Sequence, residues 1–371
     1  MLGGFFLTKN MRFGYTTGTC ATAAVKAAIL AWQNNICEKV EVKLPQGEQL
    51  VIPLATVRKT AKGGYASVIK DAGDDPDITN GITVIAEVVV EDQLGVRICG
   101  GKGIGTVTKP GLAIAVGEPA INPVPRKMIE SVAQMLLPAG RGCTITISIP
   151  GGELLAKKTL NPTLGIEGGI SVIGTTGIVR PMSEEAFKHS LAPQISVAKA
   201  AGYSTLIFVP GKIGENAAVQ CGLPRQAIVQ TSNFIGYMLE QAVEQKIAKV
   251  LLFGHLGKLV KVAAGIFHTH NRVADGRLET IAAYLAADGA SAKVVQAILE
   301  CTTTEAAMAI IAADCREKIY KKLAERATLR AERYIFSELT IGTVIVTLKG
   351  EILGFDENAR GIGDELGWNI K

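Results

Sequence analysis

The sequence predicts two domains: an N-terminal α+β layer sandwich over residues 1–155, and a C-terminal α/β domain over residues 156–371, built on a parallel sheet with a terminal hairpin. Three observations predict this fold class. The chain of 371 residues is long enough to bury two cores. Its first part has apolar strands joined by hairpin-type turns, together with two helices. Its second part alternates short apolar strands with helices, which is typical of parallel sheets.

The elements of the first part follow from residue type and spacing. An alanine-rich run after the Gly/Thr turn at 16–20 favours a helix, with Thr17 or Thr19 available as its cap. A Pro-Gln-Gly turn separates two apolar segments, 40–44 and 49–54, and predicts a hairpin. A second helix is predicted at 123–137, and further strands are predicted at 63–68, 82–90 and 143–149.

The strands of the second part each end in small or polar residues. The predicted strands 170–173, 205–209, 227–230 and 250–253 are followed by Gly174–Gly177, Pro210-Gly211, Thr231–Asn233 and Gly254–Lys258. Predicted helices at 183–201, 215–221 and 234–245 alternate with them, and a late hairpin joins 341–348 to 351–354. Because ligands of parallel sheets bind outside the carboxyl ends of the strands, we expect functional residues in those four turns.

An aspartate-rich loop, Lys70–Gly81, carries four aspartates in seven residues, a density that excludes a helix or a buried strand. Asx-type turns would hold such a loop. Its functional interpretations are a cation site, a general base, or acceptors for N–H groups of a substrate, and an exposed turn is the alternative. The spacing does not match the calcium loop D-x-[DN]-x-[DN]-G.

Composition excludes several classes of function. The net charge of +5 is modest, and basic residues are not interleaved with aromatic ones, so we expect no nucleic-acid partner. No apolar run reaches membrane-spanning length, and the start MLGGFFLTKNMR is too short and too weakly apolar for a signal peptide. The seven cysteines are scattered without a C-x-x-C pair, which is typical of reduced thiols. We therefore expect a cytoplasmic protein without a membrane segment.

Motifs of common nucleotide enzymes are absent. The chain has no Walker pattern, no G-x-S-x-G elbow, and no G-x-G-x-x-G in its glycine turn. A nicotinamide site would need an acidic residue just beyond the second strand, where Pro210-Gly211-Lys212 stands instead. These absences argue against NAD and ATP and favour a small amphoteric ligand with a carboxylate or ribose.

Few side chains are suited to acid–base or nucleophilic chemistry. His255 ends a predicted core strand, where a titratable group would face a ligand. His268 and His270 have no third metal ligand close in sequence, so no metal site is expected. Cys20 at a helix start would have a lowered pKa, but a small buried cysteine is the favoured interpretation.

Six segments together resemble one family, the CbiD family of cobalt-precorrin-5B C(1)-methyltransferases in anaerobic cobalamin (vitamin B12) biosynthesis. They are GYTTGTCATAA, KDAGDDPDITNG, GIGTVTKPGL, VGEPAINPVPR, NPTLGIEGGISVIGTTGIVRP and GHLGKLVKVAAG, in this order over residues 14–265. In one departure, the usual Gly-His-Pro-Gly-Lys stands here as Gly254-His255-Leu256-Gly257-Lys258. The resemblance implies a two-domain enzyme that transfers a methyl group from S-adenosylmethionine (SAM) to carbon C-1 of a tetrapyrrole, with cobalt carried by the substrate.

The resemblance and the turns together give an expected site. Residues 1–155 would hold the macrocycle and residues 156–371 would hold SAM. A proton acceptor or donor is expected among His255, Asp74 and Asp75. The expected SAM contacts are Gly174, Thr175, Thr176, Gly177, Gly211, Ser232, Asn233, Gly254 and Gly257. The expected substrate contacts are Thr16, Thr17, Thr19, Asp77, Thr79, Lys102, Lys109, Arg126, Arg180 and Lys258, whose cations would pair with the carboxylates of the substrate.

Two other functions are carried as alternatives. A nucleotide-dependent oxidoreductase of tetrapyrrole metabolism could use the same strand ends, although the missing ribose acid counts against it. A non-catalytic tetrapyrrole carrier would bind the macrocycle without turnover. A homo-oligomer is compatible with the sequence.

Overall fold

A computed structural model describes residues 11–311 and 313–368, and divides the chain into two compact units at Glu184/Glu185. The predicted α+β and α/β classes are both present. Residues 156–184 belong to the first unit, so this division falls later than the predicted boundary at 155/156. The first ten residues lie outside the described part. They include most of the N-terminal segment that we expect not to be a signal peptide.

The first unit contains eleven described strands and four described helices. The strands are β1 Gly14–Tyr15, β2 Lys39–Lys43, β3 Gln49–Pro53, β4 Thr56–Thr60, β5 Gly63–Ile69, β6 Thr83–Glu91, β7 Val96–Gly100, β8 Thr106–Val107, β9 Gly142–Ser148, β10 Ile166–Glu167 and β11 Ile178–Val179. The helices are α1 Thr17–Trp32, α2 Pro123–Leu136, α3 Gly152–Ala156 and α4 Asn161–Leu164.

The core of the first unit lies between helix α1 and a five-stranded sheet. The strand order is β4-β5-β6-β9-β7, with β7 parallel to β9 and the other pairs antiparallel. The alanines of α1 are fully buried, and this permits a close approach to the sheet. A Cβ at Gly64 would lie 1.8 Å from the Ala28 carbonyl oxygen, so only glycine fits there. The predicted β2–β3 hairpin is confirmed, while β4 and β7 were not predicted.

The predicted strand 170–173 is wrong as a sheet strand. Ile170 and Val172 make single bridges to Ile104 and Ile121 within the first unit, and the segment joins no parallel sheet. Their amides donate to the carbonyls of Gly103 (3.0 Å) and Ala120 (2.8 Å), so loops satisfy this backbone. A four-residue apolar run between glycines is too short to specify its partner.

The second unit contains five described strands and ten described α-helices. The strands are β12 Thr205–Val209, β13 Ile228–Gln230, β14 Lys249–His255, β15 Thr340–Val346 and β16 Ile352–Phe355. The helices are α5 Glu184–Leu191, α6 Pro193–Ala200, α7 Lys212–Gln220, α8 Ile235–Glu244, α9 Leu256–Ala263, α10 Arg277–Ala287, α11 Ala292–Leu299, α12 Thr304–Ile310, α13 Ala313–Tyr334 and α14 Glu357–Glu365.

The sheet of the second unit has the order β13-β12-β14-β15-β16, with four parallel strands and an antiparallel edge strand. The predicted terminal hairpin is confirmed as β15–β16, and β15 also supplies the fourth parallel strand in place of 170–173. The helix predicted at 183–201 is broken into α5 and α6 because Pro193 cannot donate to the preceding turn. Within the described residues, no helix is long and apolar enough to cross a membrane.

Candidate active site

A cavity of about 460 Å³ lies in the second unit, where strand β14 runs directly into helix α9. This is the carboxyl edge of the parallel sheet, where ligands of such sheets bind. The side chains that line it are mostly polar or charged, and include Asn233, His255, Lys258, His270, Arg277 and Glu305.

His255 lines the cavity and is the N-cap of helix α9. Its Nδ1 accepts the N–H of Gly257 at 3.1 Å, so the neutral imidazole carries its proton on Nε2. Nε2 lies 2.7 Å from Oε1 of Glu305, but the contact is too bent for a well-aligned hydrogen bond. Burial lowers the pKa of His255 from 6.5, and the nearby Glu305 offsets this only in part. Both nitrogens of His255 therefore face protein groups, and the acceptor role of Nδ1 makes the ring the neutral tautomer.

Glu305 belongs to the first turn of helix α12, which Thr303 caps by accepting the N–H of Ala306 at 3.1 Å. The helix N-terminus favours a negative charge at this position. The hydroxyl of Thr304 lies 3.3 Å from both carboxylate oxygens of Glu305. The Glu305 side chain is 41% exposed and that of His255 only 15%, so the carboxylate is the more accessible of the pair.

Helix α9 carries two lysines with different hydrogen-bond partners: Lys258, which lines the cavity, and the buried Lys261. The buried Lys261 ammonium donates to the carbonyls of Thr269 and Ala274 and to Oδ1 of Asn271, which uses all three of its N–H groups. The Lys258 ammonium donates to Oδ1 of Asn233 and, at 3.4 Å, to the Thr269 carbonyl. Burial, followed by repulsion from Lys261 and Arg277, lowers the pKa of Lys258 from 10.5. Across the described residues, no carboxylate forms an ion pair with Lys258.

Arg277, by contrast, is already paired. Its guanidinium donates two hydrogen bonds to Asp275, at 2.8 and 2.7 Å, and these raise the pKa of Arg277 despite its partial burial. Its charge still acts at the cavity, since it contributes to lowering the pKa of both His255 and Lys258.

Several predicted residues meet at this edge of the sheet. His255, Lys258, Asn233 and Gly257 line the cavity. Gly211 is the N-cap of α7, Ser232 has a positive φ of 52°, and Gly254 belongs to strand β14, where a Cβ on it would meet Pro210 at 2.8 Å. The sequence reasoning missed Arg277, Thr303, Thr304 and Glu305. The run Thr303-Thr304-Glu305 is a helix-start signal, but nothing in the sequence connects it with His255.

The predicted glycine turn Gly174–Gly177 lies in the first unit, not at the parallel sheet, and it packs on the start of α1. The N–H of Gly18 donates to the Ile173 carbonyl at 3.0 Å, and the Thr19 hydroxyl donates to the Gly177 carbonyl at 2.7 Å. A Cβ at Gly174 would lie 2.2 Å from Oγ1 of Thr16, so the two segments fit only with glycine there. This corrects the prediction that Gly174, Thr175, Thr176 and Gly177 follow a strand of the parallel sheet.

The threonines of this helix start are used internally. Thr16 accepts the N–H of Thr19 at 3.2 Å as the helix cap, and Thr17 exchanges hydrogen bonds with the backbone of Ile173. Thr16, Thr17 and Thr19 are all buried. Capping of the helix and contacts with the neighbouring turn account for the positions of these threonines. Substrate binding by Thr16, Thr17 and Thr19 gains no support.

The aspartate loop is held by its own carboxylates. Asp74 accepts the N–H of Arg12 at 2.7 Å, and Asp75 accepts the N–H of Met182 at 2.8 Å. Asp77 accepts the backbone and hydroxyl of Thr79, at 2.7 and 2.6 Å, and the ammonium of the buried Lys70 at 2.6 Å. Burial favours the neutral acid, but these hydrogen bonds prevail and lower the pKa of Asp77 from 3.8. The predicted Asx-type loop is present.

The remaining predicted residues are placed as follows. In the first unit, Lys102 and Arg180 are exposed, Lys109 is half-buried, and Arg126 lies 3.4 Å from Glu118. In the second unit, Nδ1 of His270 accepts the N–H of Arg272, and the His268 ring packs against Phe234. Burial raises the pKa of Cys20, so the lowered pKa considered for this thiol is wrong. No cluster of three metal-ligating side chains occurs among the described residues.

The fold and the cavity define an α/β protein with a polar cavity at the carboxyl edge of a parallel sheet. Comparison with known proteins identifies its family. The CbiD family matches residues 7–181, and the family described as CbiD, C-terminal domain, matches residues 268–357. The chain belongs to the CbiD family, as its motifs predicted.

Two similar proteins are named cobalt-precorrin-5B C(1)-methyltransferase. That of Moorella thermoacetica is 52% identical over 98% of this chain and 100% of its own length. That of Desulfitobacterium hafniense is 47% identical over 96% of this chain and 93% of its own. A crystal structure of a cobalamin biosynthesis protein (cbiD) from Archaeoglobus fulgidus is 28% identical and covers 72% of this chain and 84% of that chain. Its TM-score of 0.39 is too low to support an argument about the fold.

Proposed function

We propose that this chain transfers a methyl group from SAM to carbon C-1 of cobalt-precorrin-5B, giving cobalt-precorrin-6A in anaerobic cobalamin biosynthesis. The observation that carries the proposal is the 52% identity, over nearly the whole chain, to a protein named for this activity. Membership of the CbiD family supports it. Cobalt enters as part of the substrate.

The cavity of the second unit fits SAM as cosubstrate. SAM has an amino-acid end with both charges, and it supplies an electrophilic methyl group when bound. The cavity offers the Lys258 ammonium, the Glu305 carboxylate and the amide side chain of Asn233. Asn233 and Gly257 were predicted SAM contacts, and both lie on this lining. Gly211, Ser232 and Gly254 stay predicted SAM contacts.

The chain's own residues would act by binding and orientation. Methyl transfer needs the acceptor carbon and the methyl group held in line, and such positioning is worth several orders of magnitude in rate. Strand β14 and helix α9 hold His255 and Lys258 rigidly, because both elements are buried in the core of the unit. The sheet edge thus presents an imidazole and an ammonium group from fixed backbone positions.

The macrocycle is proposed to bind the first unit. Its carboxylates would pair with exposed or half-exposed cations there, for which Lys102, Lys109, Arg126 and Arg180 are the candidates. The Asp77 carboxylate is held by Lys70 and Thr79, so it is proposed to shape the loop and not to contact the substrate. A cytoplasmic location and a homo-oligomer stay predictions.

Anaerobic incubation with methyl-labelled SAM and cobalt-precorrin-5B tests the function directly. We expect one labelled methyl group per tetrapyrrole, located at C-1 by NMR, and one S-adenosylhomocysteine per turnover. Heat-inactivated protein is the control. Binding of the tetrapyrrole without any transfer of label would favour a carrier, and tight binding of NAD(P) without SAM would favour an oxidoreductase. Either result would refute the proposal.

A further inference from the structure

The cavity of the second unit holds one cation and one anion that lack a full counter-charge. Lys258 donates only to neutral oxygens, those of Asn233 and Thr269. The close partners of Glu305 are the Thr304 hydroxyl and the imidazole of His255, whose Nδ1 accepts a hydrogen bond and is therefore unprotonated. Over the chain that the structure describes, neither group has a Lys, Arg, Asp or Glu ion-pair partner within 4.0 Å. Other charges nearby are matched, since Arg277 is paired with Asp275.

Leaving two opposite charges uncompensated in a half-buried cavity costs free energy. A ligand that carries both charges would offset the cost by pairing with each of them. The free α-amino acid group is such a ligand, since its ammonium and its carboxylate are fixed on one carbon atom. A polycarboxylate would satisfy Lys258 and be repelled by Glu305, so the pattern disfavours the tetrapyrrole's side chains as the occupant.

We propose that this cavity binds the amino-acid end of SAM, with Glu305 accepting the α-ammonium and Lys258 donating to the α-carboxylate. The inference rests on the proposed function and specifies how the cosubstrate is oriented. His255 acts as a positioning residue in this arrangement. Its Nε2–H side faces Glu305, its Nδ1 is fixed by the Gly257 N–H, and its neutrality leaves Glu305 free to pair with the ligand.

The test compares two ligands that differ in this end. S-adenosylhomocysteine has the amino-acid group, and 5′-methylthioadenosine lacks it. Calorimetric titration is made with the full chain and with Glu305→Gln and Lys258→Met. Because a charge-assisted hydrogen bond contributes roughly tenfold or more to affinity, each variant is expected to bind S-adenosylhomocysteine about tenfold more weakly or worse. Binding of 5′-methylthioadenosine should change by less than about twofold, because neither charge contacts it.

Glu300→Gln is the matched control, since Glu300 is the C-cap of helix α11, accepts a hydrogen bond from Gln296 and does not line the cavity. It should bind both ligands like the unaltered chain. Thermal unfolding of each variant separates loss of binding from loss of fold. Equal losses for the two ligands, or no loss for either, would overturn the inference while the methyl-transfer assay still succeeds. If the unaltered chain binds no S-adenosylhomocysteine and transfers no label, the proposed function fails and takes the inference with it.

Discussion

The buried pair Lys70–Asp77 gives the sharpest prediction about the aspartate loop. The Lys70 side chain is 1% exposed and the Asp77 side chain 24%, and Nζ lies 2.6 Å from Oδ2. Asp77→Asn keeps an oxygen for Thr79 but leaves the Lys70 ammonium buried without a counter-charge. Breaking a buried ion pair in this way costs about 3–5 kcal/mol. Because Asp77 is partly exposed, we expect a loss of about 3 kcal/mol in the free energy of unfolding of the first unit.

Urea unfolding followed by fluorescence measures this loss. The chain has two tryptophans, so Trp368→Phe leaves Trp32, at the end of α1, as the reporter of the first unit. With a typical m-value of about 1–3 kcal/mol/M, the midpoint should fall by about 1–3 M. Asp92→Asn is the control, because its exposed pair with Arg141 should be worth less than about 1 kcal/mol.

Two results would refute this reasoning. The first is a loss in Asp77→Asn no larger than in Asp92→Asn. The second is a double variant, Lys70→Met with Asp77→Asn, that is as unstable as Asp77→Asn alone, since removing both charges should recover most of the loss. The pKa of Asp77 is lowered from 3.8, so its stabilising effect is complete above pH 3.8 and is lost as pH falls through the folded pKa. Asp77→Asn should lack this acid-dependent part.

Two further predictions test the proposed acid–base residues. In His255→Asn the new amide oxygen can accept the Gly257 N–H, so we expect turnover within about threefold of the unaltered rate. His255→Ala removes the helix cap and should lower the free energy of unfolding by about 1 kcal/mol. A hundredfold fall in kcat for His255→Asn with normal S-adenosylhomocysteine binding would instead make His255 a catalytic base. Asp75→Asn keeps an acceptor for the Met182 N–H, so methyl transfer should be nearly unchanged. A large fall in kcat without a change in melting temperature would restore the catalytic interpretation of Asp75.

Local patterns predicted most elements of the second unit. Strand β12 was predicted at its observed bounds. The strand predicted at 250–253 is present as β14, which begins at Lys249 and ends at His255. Strand β12 is fully buried and β14 is buried between its two end residues, so continuous apolar runs identify them. Segment 170–173 has the same pattern but its backbone pairs with loops in the first unit. Pairing depends on contacts distant in sequence, which a four-residue pattern does not specify.

The candidate site was predicted only in part, for a related reason. His255, Asn233 and Lys258 follow strand ends, and strand ends meet at one edge of a parallel sheet. Glu305 lies 50 residues further along the chain than His255, after three helices, and only the packing of α12 brings it to 2.7 Å from His255. The Thr/Gly turn at residues 16–20 and the turn Gly174–Gly177 looked like ligand-binding loops, yet they satisfy each other's backbone groups.

The sequence by itself determined the two fold classes, the terminal hairpin, the Asx-type aspartate loop and membership of the CbiD family, because these depend on residue type and short spacing. Only the tertiary structure decided which apolar run forms the fourth parallel strand, and which charges in the cavity are paired and which are not. Both depend on groups that meet across the fold. The balance of charge around Lys258 and Glu305, on which the proposed orientation of SAM rests, is therefore a property of the folded chain.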